Sequence, residues 1–418
     1  MRSVQRTSRK YRKKIKVMES QEYQGLAVDA RLELIRSLIP LGLMHIEELL
    51  QEEVRKLAGE RYSRGPNVRY GRNPGSVVLG GQRVAIDVPR LRNRQRGQEV
   101  PLSSYQALRG VGTIEEAALS RVLKGLSCRD YQSASQAIPE AFGLSGSSIS
   151  RHFIKASAGK LKELQERDLK GYDIIALWLD GKSFSKDDLI IAAGLTMEGQ
   201  KVILGFIESA TENARVASDF LNQLMSRGLS VEQGLLVIVD GSKGLNTAVR
   251  NVFQKKAVIQ RCQWHKRENV IDYMPKTEQS FIRGQLQRAY ERPTYAEARR
   301  ALLSIRKDLA ERNLSAASSL DEGFEDTLTL HRLGVFPLLG RSLKTTNVIE
   351  SINARIEGRC NKVDCWKNSS QRQRWLAATL LEIEPRFNRI KGYRHLYKLR
   401  SALKKELGLN ELPLRKAA

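Results

Sequence analysis

Three carboxylates in this chain have the type and setting for metal-assisted chemistry. Asp180 follows the apolar run Ile174-Ile175-Ala176-Leu177-Trp178-Leu179, and Asp240 follows Leu235-Leu236-Val237-Ile238-Val239. An acid just past a buried strand stands where open sheets place their ligands. Two such acids on neighbouring strands repel each other unless a cation lies between them. Hard Mg²⁺ or Mn²⁺ takes oxygen ligands of this kind. Each acid equally fits an ordinary turn, because glycine follows both, at Gly181 and Gly241. The third acid, Glu350, lies in Lys344–Ile356, where Ile349, Ile352 and Ile356 form the apolar stripe of a helix. From that helix Glu350 could complete a three-acid site, or close a capping box with Asn347. No G-x-G-x-x-G follows a strand and no G-x-S-x-G is present, so hydride and acyl chemistry lack their usual supports.

A second group of residues surrounds Cys262. Cys262 and His265 have half the spacing of a metal site, and Cys360 and Cys365 would make four zinc ligands by type. Alternatively, the pair organises the end of the strand that begins Ala257-Val258-Ile259, beside the carboxylates. Trp264 between them could stack on an unpaired base or belong to a core. Lys266, Arg267, Lys344 and Arg355 are candidate phosphate contacts.

These residues need a sheet to hold them. Leu189–Leu195 and Val202–Ile207 read as strands joined by a turn at Gly199. A helix over Asn213–Arg227 ends at Gly228, and another runs from Leu245 to Phe253. Together with the two aspartate-ended strands and Ala257-Val258-Ile259, this is a mixed α/β order of five strands. Upstream, Val28–Arg61 has helical periodicity broken near Pro40 and Gly42. Val77-Val78-Leu79 and Val84–Val88 flank Gly80-Gly81 as a hairpin that Pro89 closes. Ile114–Lys124, Cys128–Phe142 and Ser148–Ala156, the last capped by Ser145 or Ser147, have helix-turn-helix spacing. That arrangement would place Ser148, Arg151 and His152 against DNA.

Charge points to the same partner. In 418 residues, Lys and Arg number 71 against 46 Asp and Glu, a net charge of +25. A balance this basic favours a polyanion, above all double-stranded DNA. Met1–Lys16 is a basic arm without an acid, and Arg386–Lys416 reads as a basic helical tail. Four cysteines cannot form a disulfide scaffold, and no apolar run approaches the ~20 residues that span a bilayer. The chain therefore reads as reduced, cytoplasmic and independent of membranes.

The motifs then converge on a family. Asp180-Gly181, Val239-Asp240-Gly241-Ser242-Lys243-Gly244-Leu245, Gln260–Val270 with its Cys262-x-x-His265, and Thr345-Thr346-Asn347-Val348-Ile349-Glu350-Ser351 stand in this order. Over about residues 20 to 385 the chain resembles the Mutator-type transposases of bacterial insertion sequences. The resemblance implies an α/β fold: an RNase H-like mixed five-stranded sheet core, interrupted by an all-helical insertion. A mostly helical DNA-binding region with a small β-hairpin would precede it. The implied organisation is a basic arm (1–20), N-terminal helices and hairpin (21–110) and a helix-turn-helix-like domain (111–165). The core's first part (166–265), the insertion (266–340), the core's second part (341–385) and a basic tail (386–418) follow. The resemblance also implies an Asp180, Asp240, Glu350 triad holding two Mg²⁺ or Mn²⁺ ions. Asp180 would bridge the two, Asp240 would hold one and Glu350 the other. The implied activity is cleavage at transposon terminal inverted repeats and strand transfer into target DNA, with a homodimer serving two element ends. A DNA-binding repressor derived from a transposase, and a nuclease that cuts without joining, are the alternatives.

Overall fold

The computed structural model describes residues 43, 45–79, 82–109, 112–135, 142, 144–184, 187–209 and 213–409. The basic arm, residues 28–42 and 44 of the Val28–Arg61 stretch, and the last nine residues lie outside these. The chain divides into two compact units, Met1–Ala156 and Ser157–Ala418.

In the first unit a helix, α1, covers residues 45–58. It places Ile46, Leu50, Val54 and Ala58 at every fourth position on one buried stripe. That stripe packs on Val77, Val88, Leu91 and Leu102. Val77, Val88 and Leu91 belong to the antiparallel strands β1 (Asn67–Leu79) and β2 (Gln82–Asn93); β3 (Glu99–Val100) pairs with β2. The hairpin is longer than its sequence implies, because Pro89 does not close it: β2 runs on to Asn93, and Pro89 stands opposite Arg72. The register of β1 shifts between Arg69 and Arg72, so the ladder is already irregular there. A proline without an N–H is tolerated at such a place.

Helices α2 (Ser103–Leu108), α3 (Gly112–Leu123), α4 (Tyr131–Ser135) and α5 (Gly146–Glu166) follow. The helix expected over Cys128–Phe142 is represented by α4; residues 136–141 lie outside the described set. Ser145 is the cap of α5, its Oγ accepting the Ser148 N–H at 3.4 Å. The expected short polar helix ending at Ala156 instead continues to Glu166. Ile149, Phe153, Ser157 and Leu164 keep a buried stripe running along it, so nothing in the sequence stops it earlier.

The second unit is built on a five-stranded mixed sheet in the order β6-β5-β4-β7-β8. β4 (Ile174–Phe184), β5 (Asp187–Thr196) and β6 (Lys201–Ser209) form an antiparallel meander, with Gly199 at positive φ in the last turn. β7 (Leu235–Val239) lies parallel to β4, and β8 (Ala257–Arg261) lies parallel to β7. Every residue of β7 is buried, as its unbroken apolar run requires. Between these strands α6 (Ala214–Ser226) and α7 (Lys243–Phe253) cover one face of the sheet. Phe220, Leu224, Leu245 and Phe253 meet Leu177, Leu179, Val237 and Val239 there.

Downstream of β8 the chain is helical: α8 (Gln263–Ile271), α9 (Lys276–Tyr290), α10 (Tyr295–Arg312), α11 (Leu314–Asp321), α12 (Phe324–Thr327), α13 (Thr329–Arg332) and α14 (Phe336–Leu343). Their apolar residues from Val270 to Leu328 form a core of their own. α15 (Asn347–Cys360) then packs on β4 and β5, and α16 (Ser369–Ile383) on β6. The stretch expected as a basic tail contains α17 (Leu396–Glu406), which buries Leu396, Leu399 and Leu403. Its Arg400 is buried too, bonded to Asp173 and to the Gly234 carbonyl. That helix is therefore a packed element whose apolar stripe outweighs its charge.

Candidate active site

Asp180 does not end its strand. The antiparallel ladder of β4 with β5 carries on through Asp180–Ile191 to Phe184–Asp187. The parallel partner β7 stops earlier, at the pair Leu179–Val239. Asp180 and Asp240 are the next residues on these two strands, so they come side by side where β7 terminates. Leu179 and Val239 face the core under α6 and α7, so strand alternation turns Asp180 to the opposite face, and Asp240, in the turn after β7, is close enough for its charge to act on Asp180. α15, which carries Glu350, covers that face.

Three separate elements thus bring the carboxylates to one place. Asp180 is 5% exposed, and its carboxyl is pushed up to about 8. Burial is the largest cause, followed by the charge of Asp240; Cys262 and Glu350 raise it further, against His265. Glu350 keeps a buried Oε1 without a hydrogen-bond partner. It closes no capping box, since α15 is capped from Thr346 and no side chain serves that cap. Asp240 does start a turn, with its Oδ1 accepting the Ser242 N–H at 2.9 Å. Ser242 in turn caps α7 through the Leu245 N–H.

The Cys-x-x-His segment fastens these elements together. The Cys262 N–H donates to the Val239 carbonyl at 2.7 Å, tying the end of β8 to the residue before Asp240. The Cys262 Sγ accepts from the N–H of Thr346 at 3.5 Å and from its hydroxyl at 3.6 Å. His265 Nδ1 lies 3.3 Å from the same hydroxyl, and the Gln263 N–H donates to the Lys344 carbonyl at 3.0 Å. The start of the Glu350 helix is therefore pinned to the strand that adjoins Asp240. Thr346 is the member that sequence reasoning missed. A threonine beside a helix start reads as an ordinary cap, and only the fold reveals that its hydroxyl turns to Cys262 and His265.

Among the described residues no three His, Cys, Asp or Glu side chains are gathered closely enough to hold a metal ion as they stand. Cys262, His265, Cys360 and Cys365 accordingly do not assemble into a zinc site. Cys360 is buried and its thiol is pushed up to about 12 by that burial. The carboxylates nevertheless suit a hard divalent cation. They are oxygen donors whose charges oppose one another across a buried place, and one has an oxygen with no partner.

The remaining candidates separate by exposure. Trp264 is 41% exposed, standing edge-on to His265 with ring centres 4.8 Å apart. Lys266 is wholly buried, contrary to its reading as a phosphate contact. Its Nζ donates to the Ser319 carbonyl at 2.5 Å and lies 3.5 Å from Glu322. Burial, with Arg261 nearby, brings its ammonium down to about 8. Arg267 is half-buried and bonded to Glu268 at 3.0 Å. Lys344 lies over the Phe336 ring, and Arg355, exposed, lies over Phe387. In the first unit Arg151 is exposed and bonds Ser148 at 3.4 Å, whereas His152 is half-buried 3.9 Å from Glu115. Replacing Lys266 by methionine, which fills a similar volume, should leave the salt dependence of DNA binding unchanged. A phosphate contact would lower the log–log slope by about one unit, so a filter-binding salt series decides between them.

Comparison with known proteins places the chain. The pattern of the Mutator family of transposases matches residues 10–389. The chain belongs to that family. It is 27% identical over 318 residues to the transposase for insertion sequence element IS256 in transposon Tn4001 of Staphylococcus aureus, covering 72% of this chain and 77% of that protein. It is 28% identical over 331 residues to the IS905 transposase of Lactococcus lactis, covering 77% and 78%. With the ISRM5 transposase of Rhizobium meliloti, 26% identity extends over 381 residues, 89% and 91% of the two chains. The motifs around the three acids are thus carried by a member of a transposase family. Among its described residues no helix is long and apolar enough to cross a membrane.

Proposed function

We propose that this transposase cuts DNA at the terminal inverted repeats of an insertion sequence and joins the freed end to target DNA. Asp180, Asp240 and Glu350 are its catalytic carboxylates and the ligands of Mg²⁺ or Mn²⁺. One observation carries the reading: three acids from a strand, a strand end and a helix meet on one face of a mixed sheet. There burial, followed by the charge of Asp240 and more weakly that of Glu350, pushes the carboxyl of Asp180 up to about 8. When bound, two divalent ions supply positive charge to the scissile phosphate and to both the attacking and leaving oxygens. The chain's own part is to fix the ligand oxygens and keep the site dry. The ladder with β5, in which Asp180 pairs with Ile191, fixes Asp180, and Thr346, Cys262 and His265 fix the first turn beneath Glu350.

The reaction needs no covalent protein–DNA bond. In the first step water breaks the phosphodiester and leaves a 3′-hydroxyl at the element's end. In the second that hydroxyl attacks a target phosphodiester, expelling a target 3′-oxygen, so bonds formed and broken balance. Trp264 stands exposed beside the site for a base to stack upon. Arg267, Lys344 and Arg355 are kept as phosphate contacts, and Ser148, Arg151 and His152 as the reader of the repeats. The sheet order and the helices after β8 support an RNase H-like core with an insertion. Two element ends require two sites, so the working form is a homodimer on DNA, in the cytoplasm.

The test is a cleavage and strand-transfer assay on DNA bearing the flanking repeats, in Mg²⁺ or Mn²⁺. Asp180→Ala, Asp240→Ala and Glu350→Ala should each bind the repeats as wild type does and lose at least about a thousandfold in cutting. That is the size several kcal/mol of lost transition-state stabilisation gives. Variants that cut as well as wild type would move the site elsewhere. Cutting without joining would make the protein a nuclease, and binding alone a repressor.

A further inference from the structure

We infer that Arg261 is a positioning residue for Asp240, and that through it the helical insertion becomes part of the support of that carboxylate. The inference rests on the reading of Asp240 as a working ligand. Arg261 is the last residue of β8 and pairs with Val239, the residue before Asp240. Its side chain is buried, and it passes between two backbone turns. One is the turn after Asp240. Gly241 has φ +112°, and a Cβ there would stand 2.4 Å from Arg261 Nε. The other belongs to the insertion. Gly323 has φ +65°, and a Cβ there would stand 2.6 Å from Arg261 Nη1. Both turns are bare on the side that meets the guanidinium.

The guanidinium is held from the insertion. Nη1 donates to the Glu322 carbonyl at 2.6 Å, and Nη2 to the Glu322 carboxylate at 3.2 Å. Lys266 grips the same carboxylate and the Ser319 carbonyl, so two cations share one acid. Arg261 Nε is buried against the Asp240 side with no partner of its own. The planar fork is therefore fixed at its tip by Glu322 and wedged at its base against Gly241. A displacement of the Ser319–Thr327 segment moves the fork, and the fork bears on the loop that carries Asp240. A neighbouring group that orients a metal ligand in this way commonly changes metal affinity or activity by about 10–100-fold when it is lost.

The experiment uses the full chain with Arg261→Lys, which keeps the charge and removes the fork. Hydrogen–deuterium exchange is read on two peptides, 240–246 and 319–327, in wild type and variant without metal or DNA. Exchange should accelerate in both. The Mn²⁺ concentration that half-saturates DNA cleavage should rise about tenfold, with affinity for the DNA unchanged. Lys266→Met, which touches only the insertion side, should accelerate 319–327 alone. Acceleration of 319–327 alone in Arg261→Lys, with wild-type Mn²⁺ dependence, overturns the inference and leaves Arg261 as an anchor of the insertion. If Arg261→Lys does not fold, Glu322→Gln decides by the same pair of peptides: it keeps the carbonyl acceptor and removes the charge. Failure of the underlying reading shows differently. Asp240→Ala would then cut like wild type, whatever the exchange of 240–246.

Discussion

Asp180→Asn should raise the melting temperature of the metal-free protein while abolishing DNA cleavage. The carboxyl of Asp180 titrates near 3.8 when unperturbed and near 8 in the fold. Between those values the folded chain holds a proton that the unfolded chain has released. Stability therefore falls as pH rises through this window. Asparagine has nothing to release, so the variant escapes that fall. The two proteins should be alike below about pH 4, diverge steadily towards pH 8, and differ by a constant amount above it. Each unit corresponds to about 1.4 kcal/mol, and water entering the site trims the sum, so the gain is on the order of a few kcal/mol. Thermal unfolding in chelator at pH 5 and pH 8 measures it. A variant no better at pH 8 than at pH 5, relative to wild type, would mean that the carboxylates do not strain the fold. Added Mg²⁺ should reverse the order, because only wild type retains the full ligand set. Activity and stability are opposed at this residue, as they are wherever like charges are collected for chemistry.

Gly241→Ala carries the second large effect. At φ +112° an L residue is strained by about 1–2 kcal/mol before any contact is counted. The new methyl would also meet Arg261 at 2.4 Å, and Arg261 is buried and held by Glu322, so it cannot swing aside. Overpacking of this kind costs about 1–3 kcal/mol more. Together these give a loss of about 2–5 kcal/mol in urea unfolding, and a fall in single-turnover cleavage because the displaced turn carries Asp240. The double variant Gly241→Ala, Arg261→Ala removes the collision and keeps the backbone strain. It should be less destabilised than the two single losses added together. Additive losses would show that the methyl meets something other than Arg261.

Much of this site was legible in the sequence, and the reasons are physical. A five-residue apolar run such as Leu235–Val239, bounded by Gly234 and Gly241, is too short for a buried helix and reads as a buried strand, and the acid that ends such a run stands out by contrast. Asn213 and Gly228 marked the ends of α6 because caps are local chemistry. Glu350 was visible as an acid on a helix with an isoleucine stripe, yet a local pattern could not choose between a cap and a site. The structure excludes the cap, since no side chain serves the start of α15, and leaves Glu350 Oε1 buried without a hydrogen-bond partner. What the sequence hid depends on partners distant in the chain. β4 runs past Asp180 because β5 continues to pair with it, which no glycine rule foresees. Pro89 remains in β2 because β1 bulges opposite it. Lys266 looks like any basic residue until Ser319 and Glu322 are found around its ammonium.

The far side of β8 has a consequence for synthesis of the chain. Among the described residues β8 pairs only with β7, and its other edge meets much later residues. The Thr329 hydroxyl donates to the Ile259 carbonyl, and the Gln260 side chain bonds the Thr327 carbonyl and the Leu330 N–H. Until residues 327–330 have been synthesised, the Ile259 carbonyl and the Gln260 side chain lack these partners. Such an edge is a template for another nascent chain. The segment around Thr327–Leu330 should therefore shield that edge, and chains cut short before Thr327 should sediment as aggregates more than the full chain does.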